Sequence, residues 1–248
     1  MLMRLIISNL SKLKRNFVWK ITFLIPLLSI ALLQLLILFQ FESIEQFCKA
    51  KEMNPWILLI SQNSGPVLWP SIINIVIMVV SIFVYQVEFK NNSLNTELCI
   101  PAARWKILVS KFFVILFFTY IAILINFFGL ILIGIFNKIS ETFMFEFYFK
   151  YVLYELISVI GTVALSNWIA SLFKNAIVPY VIGVLGFGFG LLLPYEFKQL
   201  SYFCPYSYPL YAANYGEFHW QVAVIGGIAA GGIILLLSSY EFKHRDIL

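Results

Sequence analysis

Long apolar runs dominate this chain and limit the folds that it can adopt. Crossing the hydrocarbon core of a bilayer takes about 20 helical residues, and six runs reach roughly that length. They are continuously apolar and do not alternate with period two, which excludes an outer-membrane barrel. The sequence therefore predicts an all-α membrane protein with six transmembrane helices. Their predicted bounds are Ile21–Phe41, Val67–Val87, Ile107–Phe136, Tyr151–Phe173, Ala176–Leu193 and Gln221–Tyr240.

The composition excludes a water-soluble fold. The chain has 248 residues, of which 61% are hydrophobic and only 12% are charged. Soluble domains are usually about 45–50% apolar and about 25% charged, so this chain has too few charges to cover a wet surface. No internal repeat and no low-complexity linker divides the sequence. We therefore expect one transmembrane domain, which spans residues 1–248.

The distribution of Lys and Arg predicts the orientation, because these residues are retained in cytoplasmic loops. With the N-terminus inside, twelve of the 17 cations fall in inner segments and five in outer segments. Both termini are therefore predicted to be cytoplasmic. The net charge of +5 reflects this inner rim and gives no support for nucleic-acid binding. The outer cations are Lys49, Lys51, Lys138, Lys150 and Lys198.

Residues 1–19 have the pattern of an amphipathic helix that lies in the inner headgroup layer. Apolar residues recur at helical spacing, and the cations share the opposite face, where they can meet anionic lipid. The alternative is a frayed basic tail. The apolar positions are Leu2, Leu5, Ile6, Leu10, Leu13 and Phe17, and the polar ones are Arg4, Ser8, Ser11, Lys12 and Arg15.

Catalytic and metal-binding patterns are missing from the sequence. It contains no G-x-x-x-x-G-K-[ST] loop for ATP phosphates and no HExxH zinc motif. His219 and His244 fall on opposite predicted sides of the membrane. Cys48 and Cys204 fall on the same side, where two separate thiols are favoured and a disulfide stays open as the alternative. We therefore expect that the chain is not an enzyme and binds no metal or cofactor.

Several polar residues and glycines fall inside the predicted spans. Glu155 is the acid nearest to the membrane interior, and intramembrane acids are costly and often functional. It is a candidate for a role in the substrate path or in proton binding, but it could also reach the outer interface or pair with Lys150. We expect the glycines of the last two spans to allow close helix packing. We expect interhelical hydrogen bonds from Gln34, Asn74, Asn126 and Asn167.

Residues 194–220, between the last two spans, are rich in Tyr, Phe and Trp. Tyr and Trp favour the headgroup layer, because one end of each side chain is apolar and the other forms hydrogen bonds. The segment is predicted to dip into the outer leaflet as short re-entrant helices. It is an interfacial anchor or a gate that touches amphipathic substrates. The gate candidates are Tyr206, Tyr208 and Tyr211.

A short polar segment, residues 88–106, separates the second and third spans and is predicted to face the cytoplasm. Asn92 or Ser93 can cap a helix start, and Pro101 cannot continue a helix, which predicts a short helix over Leu94–Ile100. A rigid helix between two spans can pass force from a soluble protein into both of them. The alternative is an ordinary charged loop.

This segment resembles the first cytoplasmic loop of type-two ABC exporter permeases. The aromatic outer segment, the N-terminal helix and the six-span plan are similar as well, so the resemblance covers the whole chain. Within that family, the short length of the chain and these signatures most resemble the permeases of lantibiotic self-immunity transporters. The residues that carry the resemblance are Glu88, Asn95-Thr96-Glu97-Leu98, Ile100-Pro101-Ala102-Ala103-Arg104, Lys111, Cys204-Pro205-Tyr206-Ser207-Tyr208-Pro209 and Phe242-Lys243-His244-Arg245-Asp246-Ile247.

The resemblance implies a multi-pass permease in a bacterial plasma membrane that works with a separate ABC ATPase. ATP and Mg²⁺ would bind to that partner, and a second permease, related or identical, would complete the transporter. The implied substrate is an amphipathic antimicrobial peptide. Alternatives are another drug, a bacitracin-like peptide or a lipid, and a non-transporting membrane sensor or scaffold. The implied contacts for the ATPase are Glu88, Asn95, Glu97, Leu98, Pro101 and Arg104.

Overall fold

A computed structural model describes residues 2–14, 16–51, 54–90, 103–139, 141–213 and 220–244, without the side chains of 40–51, 90 and 213. All regular structure in these ranges is helical. The helices are α1 (Leu2–Lys12), α2 (Phe17–Lys51), α3 (Pro55–Ser64), α4 (Trp69–Lys90), α5 (Arg104–Phe136), α6 (Phe145–Leu172), α7 (Ile177–Glu196), α8 (Lys198–Ser201), α9 (Tyr208–Ala213) and α10 (Trp220–His244). A 3-10 turn at Pro205–Ser207 lies between α8 and α9.

Six of the described helices, α2, α4, α5, α6, α7 and α10, are long and apolar enough to cross a membrane. This confirms the predicted fold class and the six spans, although the bounds differ. The largest shift of a helix start is at α6, which begins at Phe145 where hydropathy predicts Tyr151. Glu146 and Lys150 lower the hydropathy there, but they are one turn apart and pair on the exposed face, so the helix continues through them.

The spans alternate in direction, which gives the bundle two distinct ends. One end holds α1, the last turn of α4, the start of α5 and the turn between α6 and α7; we call it the α1 end. The opposite end holds α3, the start of α4, and the segment with α8, the 3-10 turn and α9; we call it the α3 end. The sequence did not predict α3, whose start is capped by the Asn54 side chain, which accepts from the Trp56 N–H at 2.9 Å.

The N-terminal helix is shorter than the predicted interfacial segment of residues 1–19. It ends at Lys12, and the Asn16 side chain then accepts the Phe17 N–H at 2.6 Å, which starts α2. Phe17 therefore belongs to α2 and is half exposed there. The face of α1 that packs on α5 buries Asn9, whose amide donates to Ser110 Oγ at 3.0 Å.

Helix α4 lies at the centre of the bundle, and α2 and α10 lie at its periphery. Most of α4 is buried between α5, α6 and α7, whereas α2 and α10 keep most of their surface exposed. The main core cluster accordingly gathers apolar side chains of α4, α5 and α6, among them Ile73, Ile77, Phe118 and Val163. Residues placed on α4 therefore reach more of the molecule than residues on any peripheral helix.

The four polar residues predicted inside spans all form interhelical hydrogen bonds. Asn74 on α4 donates to the Tyr206 carbonyl at 2.8 Å, and Tyr85 of α4 donates to Asn167 on α6 at 3.1 Å. Asn137 donates to Gln34 at 3.0 Å, and Asn126 donates to Ser29 at 3.4 Å. A polar group in hydrocarbon that lacks water needs such a partner within the protein.

Glycines on one face of α7 and of α10 let other elements approach closely. A Cβ at Gly186 would meet the Tyr206 ring at 2.5 Å, and one at Gly190 would meet the Tyr206 carbonyl. On α10, a Cβ at Gly227 would meet the Ile157 carbonyl oxygen at 2.5 Å. A side chain at each of these three positions would displace a neighbour, so the prediction that the glycines serve helix packing is confirmed there. It is wrong for Gly188, where a Cβ meets nothing within 4 Å among the described residues.

Replacement of Gly227 by Ala should force α10 away from α6, because the added methyl group meets the α6 backbone, which cannot rotate aside. Overpacking of this kind costs about 1–3 kcal/mol. Gly232 is the matched control, since a Cβ there meets nothing within 4 Å. We expect a lower unfolding temperature in detergent for Gly227→Ala and an unchanged or higher one for Gly232→Ala. Equal unfolding temperatures would contradict the close contact between α10 and α6.

Candidate functional site

A buried ion pair joins the two helices that flank the predicted cytoplasmic segment. Glu88 lies in the last turn of α4 and Lys111 about two turns into α5, and their side chains form a salt bridge. Glu88 is 2% exposed and Lys111 is completely buried. The Lys12 ammonium of α1 approaches the same carboxylate at 3.4 Å. Three elements of the α1 end therefore meet at one carboxylate.

Further contacts fix Lys111 and connect this cluster to α6. The Lys111 ammonium lies 4.2 Å from the centre of the Tyr85 ring, a favourable cation–π distance. The Tyr85 hydroxyl donates to Asn167 on α6, and the Asn167 amide donates to the Leu108 carbonyl of α5 at 3.4 Å. The neighbouring Gln86 donates to the Lys174 carbonyl, in the turn between α6 and α7, at 2.8 Å.

We call Lys12, Tyr85, Glu88, Lys111 and Asn167 the α1-end cluster. Burial of two charges is expensive, and the cost is offset only where the ions are paired and further hydrogen bonds are made. The pair therefore adds little net stability, but separation of its members would leave a bare charge in the bundle. It constrains α4 and α5 to move together at the α1 end.

The structure describes only part of the predicted contact set for the ATPase. Glu88 is buried in the α1-end cluster and does not present its carboxylate at the surface. Arg104 is the exposed first residue of α5. The other four residues, together with the predicted helix Leu94–Ile100, lie outside the described residues. They are Asn95, Glu97, Leu98 and Pro101.

At the α3 end, the aromatic segment folds back against the bundle as short helices. Thr162 of α6 donates to the Pro205 carbonyl at 2.8 Å, and the Tyr208 hydroxyl donates to the Tyr202 carbonyl at 3.1 Å. The hydroxyl of Tyr211 shares a 2.5 Å hydrogen bond with that of Ser201. All three gate candidates are buried, with exposed fractions of 7% for Tyr206, 2% for Tyr208 and 1% for Tyr211.

Burial also keeps Tyr206 and Tyr208 neutral. It raises the pKa of Tyr206 and of Tyr208 to about 12. The phenols therefore stay protonated across the physiological pH range, and they act as hydrogen-bonding and packing groups.

An apolar groove of about 480 Å³ lies between α7 and the aromatic segment. Gly186, Phe189 and Leu193 form its α7 wall, and Phe203 and Tyr206 form the opposite wall. Of the three gate candidates, only Tyr206 lines the groove; Tyr208 and Tyr211 lie deeper. Cys204 also lines it and is a free thiol, whereas the side chain of Cys48 is not described.

Glu155 is enclosed by protein, which corrects both alternatives to a functional role: contact with the outer interface and pairing with Lys150. Its carboxylate is 1% exposed and accepts the indole N–H of Trp69 at 2.6 Å. It does not reach the interface, because α6 begins earlier than predicted and the start of α4 packs against it through Trp69. Lys150 pairs with Glu146 on the exposed face of α6 instead.

Sequence reasoning missed the partners of both buried acids. The two members of the Glu88–Lys111 pair were assigned to a solvated segment, although opposite charges just inside two adjacent helix ends are a recognisable signal. Lys12 was assigned to the lipid-facing side of α1. The contact between Trp69 and Glu155 has no signal in one sequence, because it depends on how the start of α4 meets the middle of α6.

Comparison with known protein families yields a match. Residues 5–190, about three quarters of the chain, match the family described as ABC-2 family transporter protein. No curated protein matches the chain. The matched region contains the α1-end cluster and most of α7.

Substitution of Glu88 by Gln should destabilise the protein, because it leaves the Lys111 ammonium buried without a counter-ion. Breaking a buried pair in this way costs about 3–5 kcal/mol, and removal of both charges costs less. We therefore expect a marked loss of unfolding free energy in detergent for Glu88→Gln and a partial recovery for Glu88→Gln combined with Lys111→Met. Glu146→Gln, which breaks an exposed pair, should leave stability nearly unchanged. Equal stability of the two Gln variants would contradict the structural role of the buried pair.

Proposed function

The chain belongs to the ABC-2 family of transporter proteins, and on that basis we propose that it expels an amphipathic antimicrobial peptide from the membrane. As a member of this family it is a multi-pass permease subunit, and the family implies an ABC ATPase as partner. The peptide is of the lantibiotic class, and the protein gives the producing bacterium immunity to its own product. The resemblance of the chain's short length and of its motifs to immunity permeases supports this narrower assignment.

The α1-end cluster is the observation that carries the coupling proposal. The ATPase, with its ATP and Mg²⁺, docks on residues 88–106 from the cytoplasm, so both termini are inside. Asn95, Glu97, Leu98, Pro101 and Arg104 provide contacts, and Glu88 acts from within, as a positioning residue. A push on this segment reaches α4 and α5 together, because the Glu88–Lys111 pair joins them where the segment begins and ends.

Helix α4 offers a direct connection to the α3 end. Its first residue, Trp69, bonds Glu155 of α6, and its Asn74 bonds the Tyr206 carbonyl of the aromatic segment. A displacement of α4 therefore alters contacts at both Glu155 and Tyr206. The arrangements of the bundle before and after this displacement must differ in their affinity for the peptide if transport is to be driven. A ligand shifts an equilibrium between two conformations only by the difference in its affinity for them.

The substrate path runs at the α3 end, which faces the outside. The apolar groove lined by Tyr206 suits the apolar face of an amphipathic peptide that arrives from the outer leaflet. Tyr208, Tyr211 and Glu155 lie behind it and form a closed gate in this conformation, because each is at most 2% exposed. A second permease, related or identical, completes the pathway.

Two alternative functions, a permease for another cargo and a non-transporting membrane protein, make different predictions. A permease for another drug, a bacitracin-like peptide or a lipid would confer resistance or transport for that compound and not for a lantibiotic. A non-transporting sensor or scaffold would work equally well with an ATPase partner that cannot hydrolyse ATP. Resistance tests with a panel of peptides and an inactive ATPase partner separate these possibilities.

The first test is to cross-link the protein gently in its native membrane and to identify what is purified with it. We expect an ABC ATPase, with cross-links from residues 91–103, and a second six-span protein. Cross-links to the ATPase from that segment would also place the α1 end in the cytoplasm. Recovery without any ATPase, or cross-links to it only from the α3 end, would overturn the coupling proposal.

Glu97→Arg and Pro101→Ala should weaken the coupling to the ATPase and leave membrane insertion intact. The first reverses a charge at the proposed docking surface, and the second removes the residue expected to end the docking helix. The measurement is peptide-stimulated ATPase activity of the purified complex, together with resistance of cells. Glu146→Arg, an exposed change at the α3 end, is the control. If all three variants behave like the unmodified protein, residues 88–106 are not the docking segment.

A further inference from the structure

Glu155 lies in a connected set of buried polar side chains at the α3 end. Trp69 of α4 donates its indole N–H to the carboxyl at 2.6 Å, and Tyr151 lies one turn earlier on α6 with its hydroxyl next to the same carboxyl. The Tyr151 hydroxyl is also next to the side chain of Asn63 on α3. Asn63 in turn donates to Asn126 of α5 at 2.9 Å. The set therefore connects four helices through one acid.

Within the described residues, no cation compensates a negative charge at Glu155. No Lys, Arg or His of that part of the chain forms an ion pair with it, and no group of side chains there could hold a metal ion. Lys150 is turned outward to Glu146. A bare carboxylate in such surroundings is strongly disfavoured, and buried acids neutralise instead.

The number of hydrogen-bond donors and acceptors in this set distinguishes the ionised form of Glu155 from the protonated form. The Tyr151 hydroxyl and Asn63 Oδ1 are both buried and make no hydrogen bond of good geometry in this arrangement. The tyrosine has one hydrogen to donate. If Glu155 were ionised, its carboxylate would claim that hydrogen, and Asn63 Oδ1 would have no donor. An unsatisfied buried acceptor costs about 1–3 kcal/mol.

A protonated Glu155 satisfies every atom of the set. Its carbonyl oxygen accepts from Trp69, and its O–H donates to the Tyr151 oxygen. The Tyr151 O–H is then free to donate to Asn63 Oδ1, while the Asn63 amide keeps its bond to Asn126. Small rotations of side chains that already lie next to one another complete this chain, and no backbone movement is needed.

We propose that Glu155 is a proton-binding site and that it carries a proton in this conformation, as the hydrogen-bond donor to Tyr151. The proton links α3 and α4 to α6 at the place where these helices cover the acid. If α3 and the start of α4 moved away, water would reach Glu155, the carboxyl would release its proton to water, and the hydrogen-bond chain would be broken. Opening of the α3 end is therefore coupled to proton release.

The groups that surround Glu155 allow a pH response of this site to be assigned to Glu155 itself. Among the described residues, the titratable groups that face it are Tyr151 and, beyond it on α6, Tyr148. Helices α3 and α4 present Asn63 and Trp69 to the set, and neither of these titrates. A higher pH should favour the opened arrangement in the unmodified protein and have no such effect on this site in Glu155→Gln.

Infrared spectroscopy tests the protonation directly. The purified protein is measured at neutral pH in maltoside detergent, which has no ester carbonyl, and the spectra of Glu155→Gln and Glu146→Gln are subtracted from it. We expect that removal of Glu155 takes away a carboxylic-acid carbonyl band. Removal of Glu146, on the exposed face of the same helix, should take away only carboxylate bands. The amide introduced by Glu155→Gln can donate to Tyr151 and accept from Trp69, so this variant should keep its fold.

Tyr151→Phe and a titration provide measurements that do not depend on Glu155→Gln. Tyr151→Phe should shift the frequency of the acid band, because it removes the partner of the acid O–H. In the unmodified protein the band should persist from acidic to neutral pH, where exposed carboxyl groups have lost theirs. Only carboxylate bands at neutral pH, or an acid band that survives in Glu155→Gln, would overturn the proposal. The result is independent of the cargo and of the ATPase, so the proton site and the transport proposal can fail separately.

Discussion

Polar groups inside this bundle have no bulk water to bond with, and their need for partners within the protein decides how the helices meet. Lipid is as apolar as the outer faces of the helices, so burial of apolar surface gives little preference for one helix pairing over another. Specific contacts therefore come from close packing at glycines and from buried polar side chains. Helix α4 makes many of the contacts between buried polar side chains. Its residues Trp69, Asn74, Tyr85 and Glu88 bond to different neighbours.

Properties that follow from local composition and periodicity were predictable from the sequence. The six spans, the amphipathic α1 and the short helices of the aromatic segment are all present. Gly186, Gly190 and Gly227 serve close packing, as their position inside apolar runs indicated. These features depend on residues that are near one another in the chain, and a single sequence contains that information.

Properties that depend on which helices become neighbours were not predictable. Glu88 and Lys111 were assigned to a polar segment that faces water, but the ends of α4 and α5 converge and bury both. Glu155 was expected near the surface or near Lys150, but α6 extends further towards the α3 end and Trp69 of α4 packs against the acid. Helix α3 itself was missed, because its apolar residues are too few for a span and its polar residues too few for an outer loop. In each case the missing information was which helices pack against one another in the folded protein.

Helix α4 is bonded at both ends, and this has a mechanical consequence. Trp69 and Glu88 lie 19 positions apart, which corresponds to about 29 Å along a helix axis at 1.5 Å per residue. An α-helix of that length, enclosed by other helices, cannot stretch or shorten appreciably. Axial motion imposed at Glu88 must therefore appear at Trp69 with nearly the same amplitude. Both end residues form polar bonds that break over fractions of an ångström, so a translation far smaller than one helical turn is enough to change the contacts on both sides of the membrane.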